Sequence, residues 1–515
     1  MRTFSHQSIQ SITCTTQQCK YGLKTYLVNS LRDVTENLET PTLSMRLSLV
    51  LILFHFLVAE SYHTIRINNR VSSSSLKMSA SAEPVLTIVT PEEVKTLHQN
   101  PVDEKAKEQA AAILKEVNDG GLDGLLNVAV RLRDLETKTS KAFYGRDDLK
   151  AAYDALGEEN RALLQRTANR IRTFAESQRK AIVNVSVDIP GGKAGHDVAP
   201  VKSAGCYAPG GRYPLPSSVL MTAVTARAAG VEHVWVASPR PVAETLAAAY
   251  LADADGLMAI GGAQAIGALA YGVPEHNIPG SDVIVGPGNK WVTAAKSLVS
   301  GKVQIDMLAG PSEVLVIADS TCDPGTVASD LLAQAEHDTE ARPILVCTAA
   351  QVAADVNTEL AKQLASLPTR DVAREAVKKG FACVCPDIAT AVRISDEIGP
   401  EHLEIITEDA EGVKAMCNSY GGVFVGSVSA EVFGDYGAGP NHVLPTCGTS
   451  RYTGGLSVFT FLRIRTWMNI TKGDSAACQE MIKDAIALGR IEGLEGHARA
   501  AEARLSGQNK KARIN

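Results

Sequence analysis

The sequence predicts an α/β chain with two doubly wound parallel sheets followed by a helical C-terminal arm. Three observations support this. From Val85 onward short apolar runs alternate with amphipathic stretches; from Ser217 the alternation becomes strict and comes in two successive series; after Arg465 the pattern turns helical to the end. Repeated strand-helix-strand units require parallel sheets with helices on both faces, so two series imply two Rossmann-like sheets.

Residues 1–82 stand apart, with no sustained periodicity. Their one strongly apolar run, 47–59, is too short to span a bilayer and has the length of a signal h-region, with Met45-Arg46 directly before it as a second start. Between Ser61 and Ala82 there is no acidic residue, while Arg66, Arg70 and Lys77 accompany several serines, which is transit-peptide composition. This segment is expected to direct the chain to a plastid (chloroplast) stroma and to be removed. The alternative is a cytoplasmic protein with a disordered tail.

In the mature chain, 83–102 is expected as an N-terminal helical extension, and 103–117 and 147–182 as helices. Ser217 is placed to cap a helix running to Ala229, which Gly230 can terminate. A strand at 233–237, a helix at 242–252, an apolar run at 257–260, a helix at 264–271, a strand at 282–285 and a helix at 289–299 complete the first series. The second has strands at 314–318, 343–348, 381–385, 403–407 and 422–426, alternating with helices at 325–337, 351–365, 388–398 and 410–419. Helices at 476–488 and 492–505 form the arm.

With 51 Lys+Arg against 57 Asp+Glu, the net charge of -6 provides no overall cationic field to neutralise phosphates, which disfavours a nucleic-acid role. The 10 cysteines have no repeated spacing and do not resemble a disulfide framework, so a reducing compartment fits. Cys383 and Cys385 lie in an apolar run and read as a buried strand.

No complete dinucleotide fingerprint exists: Gly286-Pro287-Gly288-Asn289-Lys290-Trp291 has Trp where the third Gly belongs. Instead, Gly261-Gly262-Ala263-Gln264 and Gly286-Pro287-Gly288-Asn289 each follow a strand and precede a helix, which presents backbone N–H groups at the carboxyl edge of the sheet. In the second series Gln334 and His337 share a helix face at i and i+3 and can converge on a small ion. Glu401-His402 follows Gly399-Pro400 and offers two proton-transfer groups of different pKa, although Glu275-His276 is the same dipeptide in an ordinary surface turn. Gly434 to His442 is the densest polar and glycine-rich stretch, in which Asp435 and His442 could ligate metal, with Glu492 and His497 available from the arm. These residues point to a metal-using α/β enzyme and leave open whether it is a dehydrogenase, a zinc hydrolase or a binding protein with a metal-held ligand.

Seven segments together resemble the histidinol dehydrogenase family: Tyr207-Ala208-Pro209-Gly210-Gly211, Gly261-Gly262-Ala263-Gln264-Ala265-Ile266, Gly286-Pro287-Gly288-Asn289, Asp306-Met307-Leu308-Ala309-Gly310-Pro311-Ser312-Glu313, Gln334-Ala335-Glu336-His337, Gly399-Pro400-Glu401-His402-Leu403 and Asn441-His442-Val443-Leu444-Pro445-Thr446. The resemblance implies oxidation of L-histidinol to L-histidine through the aldehyde, with two NAD+ per turnover and one zinc per subunit, in the final steps of histidine biosynthesis. It implies zinc ligands at Gln334, His337, Asp435 and His497, and substrate contacts from these four with Ser312, His402 and Glu492. It further implies NAD contacts at Tyr207, Gln264 and Asn289, with His402 and Glu401 as the catalytic bases of the two steps. It implies a homodimer whose arm supplies His497 to the neighbouring site, and no nucleic-acid or membrane partner in the mature form. The expected domains are 103–206 with 312–456 as the larger unit holding zinc and the catalytic residues, 207–311 as the NAD-binding unit and 457–515 as the dimerisation arm.

Overall fold

The strands Glu313–Ala318 and Val283–Val285 are buried along their whole length, so both of their faces must be covered. Each becomes an inner strand of a six-stranded sheet in the computed structural model, which describes residues 85–94, 100–210 and 213–505. The first sheet runs edge to edge as Phe143–Gly145, Gly256–Met258, His233–Ala237, Ser203–Tyr207, Val283–Val285 and Gln304–Ile305. All its pairings are parallel except that of the Phe143–Gly145 edge. The second runs as Thr87–Val89, Phe381–Val384, Arg342–Cys347, Glu313–Ala318, His402–Ile406 and Gly422–Val425, parallel throughout. Two doubly wound sheets are therefore present as expected. In each, the chain winds outward from a central strand in one direction and then returns to its other side, which creates a switch point beside Ser203–Tyr207 and beside Glu313–Ala318.

Several expectations are corrected. The region 83–102 contains the strand Thr87–Val89, not a helical extension. Leu86, fully buried, is gripped by the side chain of Asn357, which accepts from its N–H at 2.8 Å and donates to its carbonyl at 3.2 Å. Residues 103–206 contribute to the first sheet through Phe143–Gly145 and Ser203–Tyr207. Their long helix Glu104–Arg131, capped by Asp103, buries Ala110, Leu114 and Val117 against Ile266 and Leu269 of the helix Gly262–Tyr271. The amphipathic stretch 147–182 is two helices, Arg146–Ala155 and Glu158–Ala181, because Leu156 is extended and Gly157 begins a new cap. Ser217 caps nothing: Pro216 starts the helix, and Gly230, at φ 95°, ends its last segment. A helix at Arg370–Val377 was not anticipated.

The largest departure lies beyond residue 456. Leu462–Ile470 is a strand that pairs antiparallel with Gly192–Pro200, which pairs in turn with Val185–Ile189. Its alternation of Leu462, Ile464, Met468 and Ile470 with Arg463, Arg465 and Asn469 has the strand period, not the helical one. The helices Ala476–Ile491 and Glu495–Glu502 follow and pack together through Cys478, Ile482, Ile486 and Ala498. Among the described residues all cysteines are free, and no helix is long and apolar enough to cross a membrane.

A buried ion pair shapes the carboxyl edge of the first sheet. Lys296 Nζ meets Asp306 Oδ1 and also donates to the Gly286 carbonyl at 3.0 Å, while Asp306 Oδ2 accepts from the Gly286 N–H at 2.7 Å. Gly286 has φ 118°, and a Cβ there would lie 1.9 Å from the Tyr207 carbonyl oxygen, so the close approach of loop and strand requires glycine. Lys296→Ala should leave Asp306 buried and uncompensated and cost about 3–5 kcal/mol in urea unfolding. A loss below about 1 kcal/mol would show that the pair does not anchor the loop.

Candidate active site

The carboxyl edge of the first sheet presents the expected cofactor residues. Tyr207 ends its strand fully buried, and its hydroxyl accepts from the Gly262 N–H at 3.2 Å, while burial pushes its pKa up to about 12. Gln264 donates to Asp134 Oδ2 at 2.7 Å, and that same oxygen accepts from the Gly261 N–H at 3.0 Å. The Gln264 Oε1 atom is buried without a hydrogen-bond partner. Asn289 is exposed and caps the helix Lys290–Val299 by accepting from the N–H groups of Trp291 and Val292 at 3.1 and 3.2 Å. Asp134, which braces both Gly261 and Gln264, was not singled out in the sequence.

Ser312, Gln334, His337, Glu401, His402 and Asp435 gather at the opposite end of the second sheet, its amino edge. Glu313 and His402 are the first residues of adjacent strands, and Ser312 and Glu401 immediately precede them. Doubly wound sheets ordinarily bind ligands at their carboxyl edge. Here Asp319 occupies that edge at the switch point, accepting from the N–H groups of Thr321 and Glu408 at 2.9 Å each. The helix Pro324–Ala335 runs back along the sheet and delivers Gln334 and His337 to the amino edge. The short helix Glu431–Asp435 adds Asp435. The loop after it is clamped on the helix Glu158–Ala181, where Arg170 donates to the Gly437 carbonyl at 2.6 Å.

His402 is 4% exposed, and its Nδ1 lies 3.2 Å from the Glu313 carbonyl oxygen. A carbonyl only accepts, so Nδ1 carries the hydrogen and Nε2 keeps a free lone pair. Nε2 has no hydrogen-bond partner and lies 3.7 Å from Asp435 Oδ1. Burial lowers the pKa of His402 to about 4, which makes the ring neutral at physiological pH. Burial likewise holds Glu401 and Glu431 well above the ordinary carboxylate range. Glu401 Oε2 accepts from the Glu313 N–H at 3.0 Å, and its carboxyl also hydrogen-bonds the Ser312 side chain.

His337, Glu431 and Asp435 each offer a ligand atom, and these atoms all lie within 4.8 Å of one another. His337 Nε2 is 3.6 Å from Asp435 Oδ2. With its NH2 turned towards Glu431, Gln334 donates to Oε1 at 2.7 Å and accepts from the Glu313 N–H at 2.9 Å. Turned the other way, its oxygen faces the Glu431 carboxyl, an arrangement that a proton or a cation between them would favour. An imidazole, two carboxylates and an amide oxygen suit zinc, and the buried, unpartnered Glu431 Oε2 is a ready donor. His497 and Glu492 are exposed on the arm and are not part of this cluster in the same chain. Glu431 was missed in the sequence, as were Glu404 and Asp330 behind it. Acidic residues within apolar stretches, as in the strand His402–Ile406, were the available signal.

A small cleft connects the two edges, lined by Gly286, Pro287 and Gly288 from the first sheet and by Ser312, Glu401 and His442 from the second. His442 Nδ1 is 2.9 Å from the Asp435 carbonyl oxygen, and its Nε2 is 3.3 Å from Ser218 Oγ.

The family model described as histidinol dehydrogenase matches residues 97–505. The chain is 43% identical over 366 residues to histidinol dehydrogenase of Parasynechococcus marenigrum, covering 70% of this chain and 82% of that one. It is 44% identical over 355 residues to that of Thermus thermophilus, covering 68% and 84%. The crystal structure of histidinol dehydrogenase from Elizabethkingia anophelis superposes with a TM-score of 0.77 at 30% identity, covering 83% of this chain and all (100%) of that one.

Burial raises the pKa of Glu313 from 4.5 to about 7 against the opposing pull of Arg342. The folded chain therefore keeps a proton there that the unfolded chain releases, and stability falls as pH rises through this window. In metal-stripped protein, urea unfolding of wild type relative to Glu313→Gln should lose roughly 3 kcal/mol between pH 4.5 and pH 7.5. A gap that stays constant with pH would contradict the shift.

Proposed function

Because this chain belongs to the histidinol dehydrogenase family, we propose that the cleft between Gly286 and Glu401 is where histidinol meets NAD. The enzyme is an NAD-dependent oxidoreductase that converts L-histidinol to L-histidine in two oxidations, through the aldehyde. The first releases one proton with the hydride; the second consumes water and releases two more.

The observation that carries the assignment of roles is the pinned His402 ring. With Nδ1–H committed to the Glu313 carbonyl, Nε2 is a neutral, unpartnered base 3.7 Å from Asp435 Oδ1. It takes the hydroxyl proton while the adjoining C–H hydride leaves to the nicotinamide. Glu401, held by Ser312 and the Glu313 N–H, takes the proton of the water that attacks the aldehyde, and a second hydride then departs. Zinc held by Gln334, His337 and Asp435, with His497 of a second subunit, would supply the positive charge that anchors the substrate imidazole and amine and keeps the surrounding carboxylates ionised. Ser312 and Glu492 would add substrate contacts. Tyr207, Gln264 and Asn289 would line the NAD side, and the buried, unpartnered Gln264 Oε1 supports that reading.

Exposed apolar side chains on the arm support a homodimer. Ile464, Met468, Leu488 and Ile491 are 57%, 66%, 57% and 81% exposed, on the elements that carry or flank Glu492 and His497. The residues of the expected targeting segment, 1–82, lie outside the described ones, and the family match begins after them at 97. Their acid-poor, serine-rich composition supports plastid import, and retention of a fluorescent fusion of 1–82 in the cytosol would refute it.

His402→Asn should lower kcat for histidinol by about 10²–10⁴ in the NADH absorbance assay while zinc content stays near one per chain. Glu401→Gln should slow oxidation of supplied aldehyde far more than reduction of the first NAD+. Equal slowing of both steps would overturn the division of labour. Mixed His497→Ala and His402→Ala chains should regain activity after subunit exchange, since one of the two sites then has both residues. No recovery would place the whole site in one chain.

A further inference from the structure

Behind the residues that face the cleft lies a carboxyl pair to which the reaction assigns no role. Glu404 is the third residue of the strand His402–Ile406 and is 1% exposed; Asp330 lies in the middle of the helix Pro324–Ala335 and is 9% exposed. Neither lines the cleft. Their carboxyl groups hydrogen-bond each other, which requires one proton between them, since two carboxylates have only acceptors. Glu404 Oε1 also accepts from the Glu431 N–H at 2.7 Å, the first residue of the helix Glu431–Asp435. Ala430, the residue before that helix, has no capping side chain, so Glu404 does the capping from a neighbouring strand. The remaining oxygen, Oε2, is buried and has no N–H or neutral hydroxyl donor near it.

The connectivity of the pair is what matters. Asp330 is one helical turn before Gln334, Glu404 shares a strand face with His402, and the N–H that Glu404 holds begins the helix ending in Asp435. Three elements, each bearing part of the site, thus meet at the Glu404 side chain. We propose that Asp330 and Glu404 are positioning residues that fix the helix Pro324–Ala335, the strand His402–Ile406 and the helix Glu431–Asp435 against one another, and so set the spacing of the metal ligands. This rests on the zinc ligands proposed above.

The test compares three variants of the full-length enzyme. Glu404→Gln keeps an oxygen for the Glu431 N–H and offers an NH2 to the Asp330 carboxylate, so one amide hydrogen replaces the shared proton. Glu404→Leu keeps the volume and loses both bonds; Asp330→Leu loses only the bond between the carboxyls. Zinc affinity is read by competition with a chromogenic chelator, and kcat and KM for histidinol by NADH formation. Zinc affinity should fall about tenfold to a hundredfold in Glu404→Leu, with kcat falling more than KM rises, and by a smaller factor in Asp330→Leu. Glu404→Gln should recover most of both. Zinc affinity and kcat equal to wild type in either Leu variant would overturn the proposal. So would a Glu404→Gln protein that loses as much as Glu404→Leu, a comparison of soluble Gln protein with wild type sufficing if Glu404→Leu does not fold. His337→Ala serves as the control for the metal site: if it keeps its zinc, the ligand assignment is wrong, whereas zinc loss there without loss in Glu404→Leu refutes the positioning role alone.

Discussion

Six acidic side chains, Glu313, Glu401, Glu404, Glu431, Asp435 and Asp330, are packed into the amino edge of one sheet with little access to water. Burial of this much like charge is tolerated only if protons or a cation neutralise it, and every other feature of the site follows from that. Without a cation, burial pushes the pKa values of Glu313, Asp330, Glu401, Glu404 and Glu431 upward, and His402 stays neutral. A cation at the proposed ligands Gln334, His337 and Asp435 would favour the ionised form of neighbouring carboxyls, Glu401 among them, as the proposed oxidation needs. The site is built to be incomplete in charge until something positive enters it.

That requirement also accounts for the proposed catalytic groups lying at the less usual end of the second sheet. The carboxyl edge, where helix N-termini favour anions, suits a cofactor carrying phosphates, and the first sheet offers that edge with its Gly-rich turns. The amino edge is where helices end, with a partial negative charge that favours a cation. Joining the carboxyl edge of one sheet to the amino edge of the other places an anion-favouring surface opposite a cation-favouring one across a single cleft. The two domains are alike in winding and opposite in electrostatic character.

What could be read in the sequence divides along physical lines. Most inner parallel strands were legible as apolar runs, although Ser203–Tyr207, with its small residues, was not anticipated; His233–Ala237 was located to the residue, and the helix Ile388–Ile398 likewise. Gln334, His337, Glu401, His402 and Asp435 could be singled out as polar groups at the ends of apolar elements or in a glycine-rich stretch, but each signal was weak alone and their roles came from the family resemblance. The antiparallel strands were not legible: Gly192–Pro200 has no apolar run, and Leu462–Ile470 is mostly exposed. Thr87–Val89 was missed because a three-residue edge strand leaves too short a pattern. Glu404 and Lys296 were passed over for the opposite reason. A single charge inside an apolar element looks like an interruption until its partner, brought from another part of the chain, is known.

The small antiparallel sheet has a consequence for how the molecule comes into being. The strand Leu462–Ile470 closes on Gly192–Pro200, and Arg463 ties back to the Pro200 carbonyl across 263 residues of chain. Until nearly the whole polypeptide has been synthesised, Gly192–Pro200 offers an unpaired edge to its surroundings, and that edge can pair with any other strand. Contacts spanning so much sequence form late and slowly. Roughly the last tenth of the chain, from Leu462 onward, is therefore a latch as well as an arm: it seals the molecule against aggregation at the same moment that it folds the helices bearing Glu492 and His497.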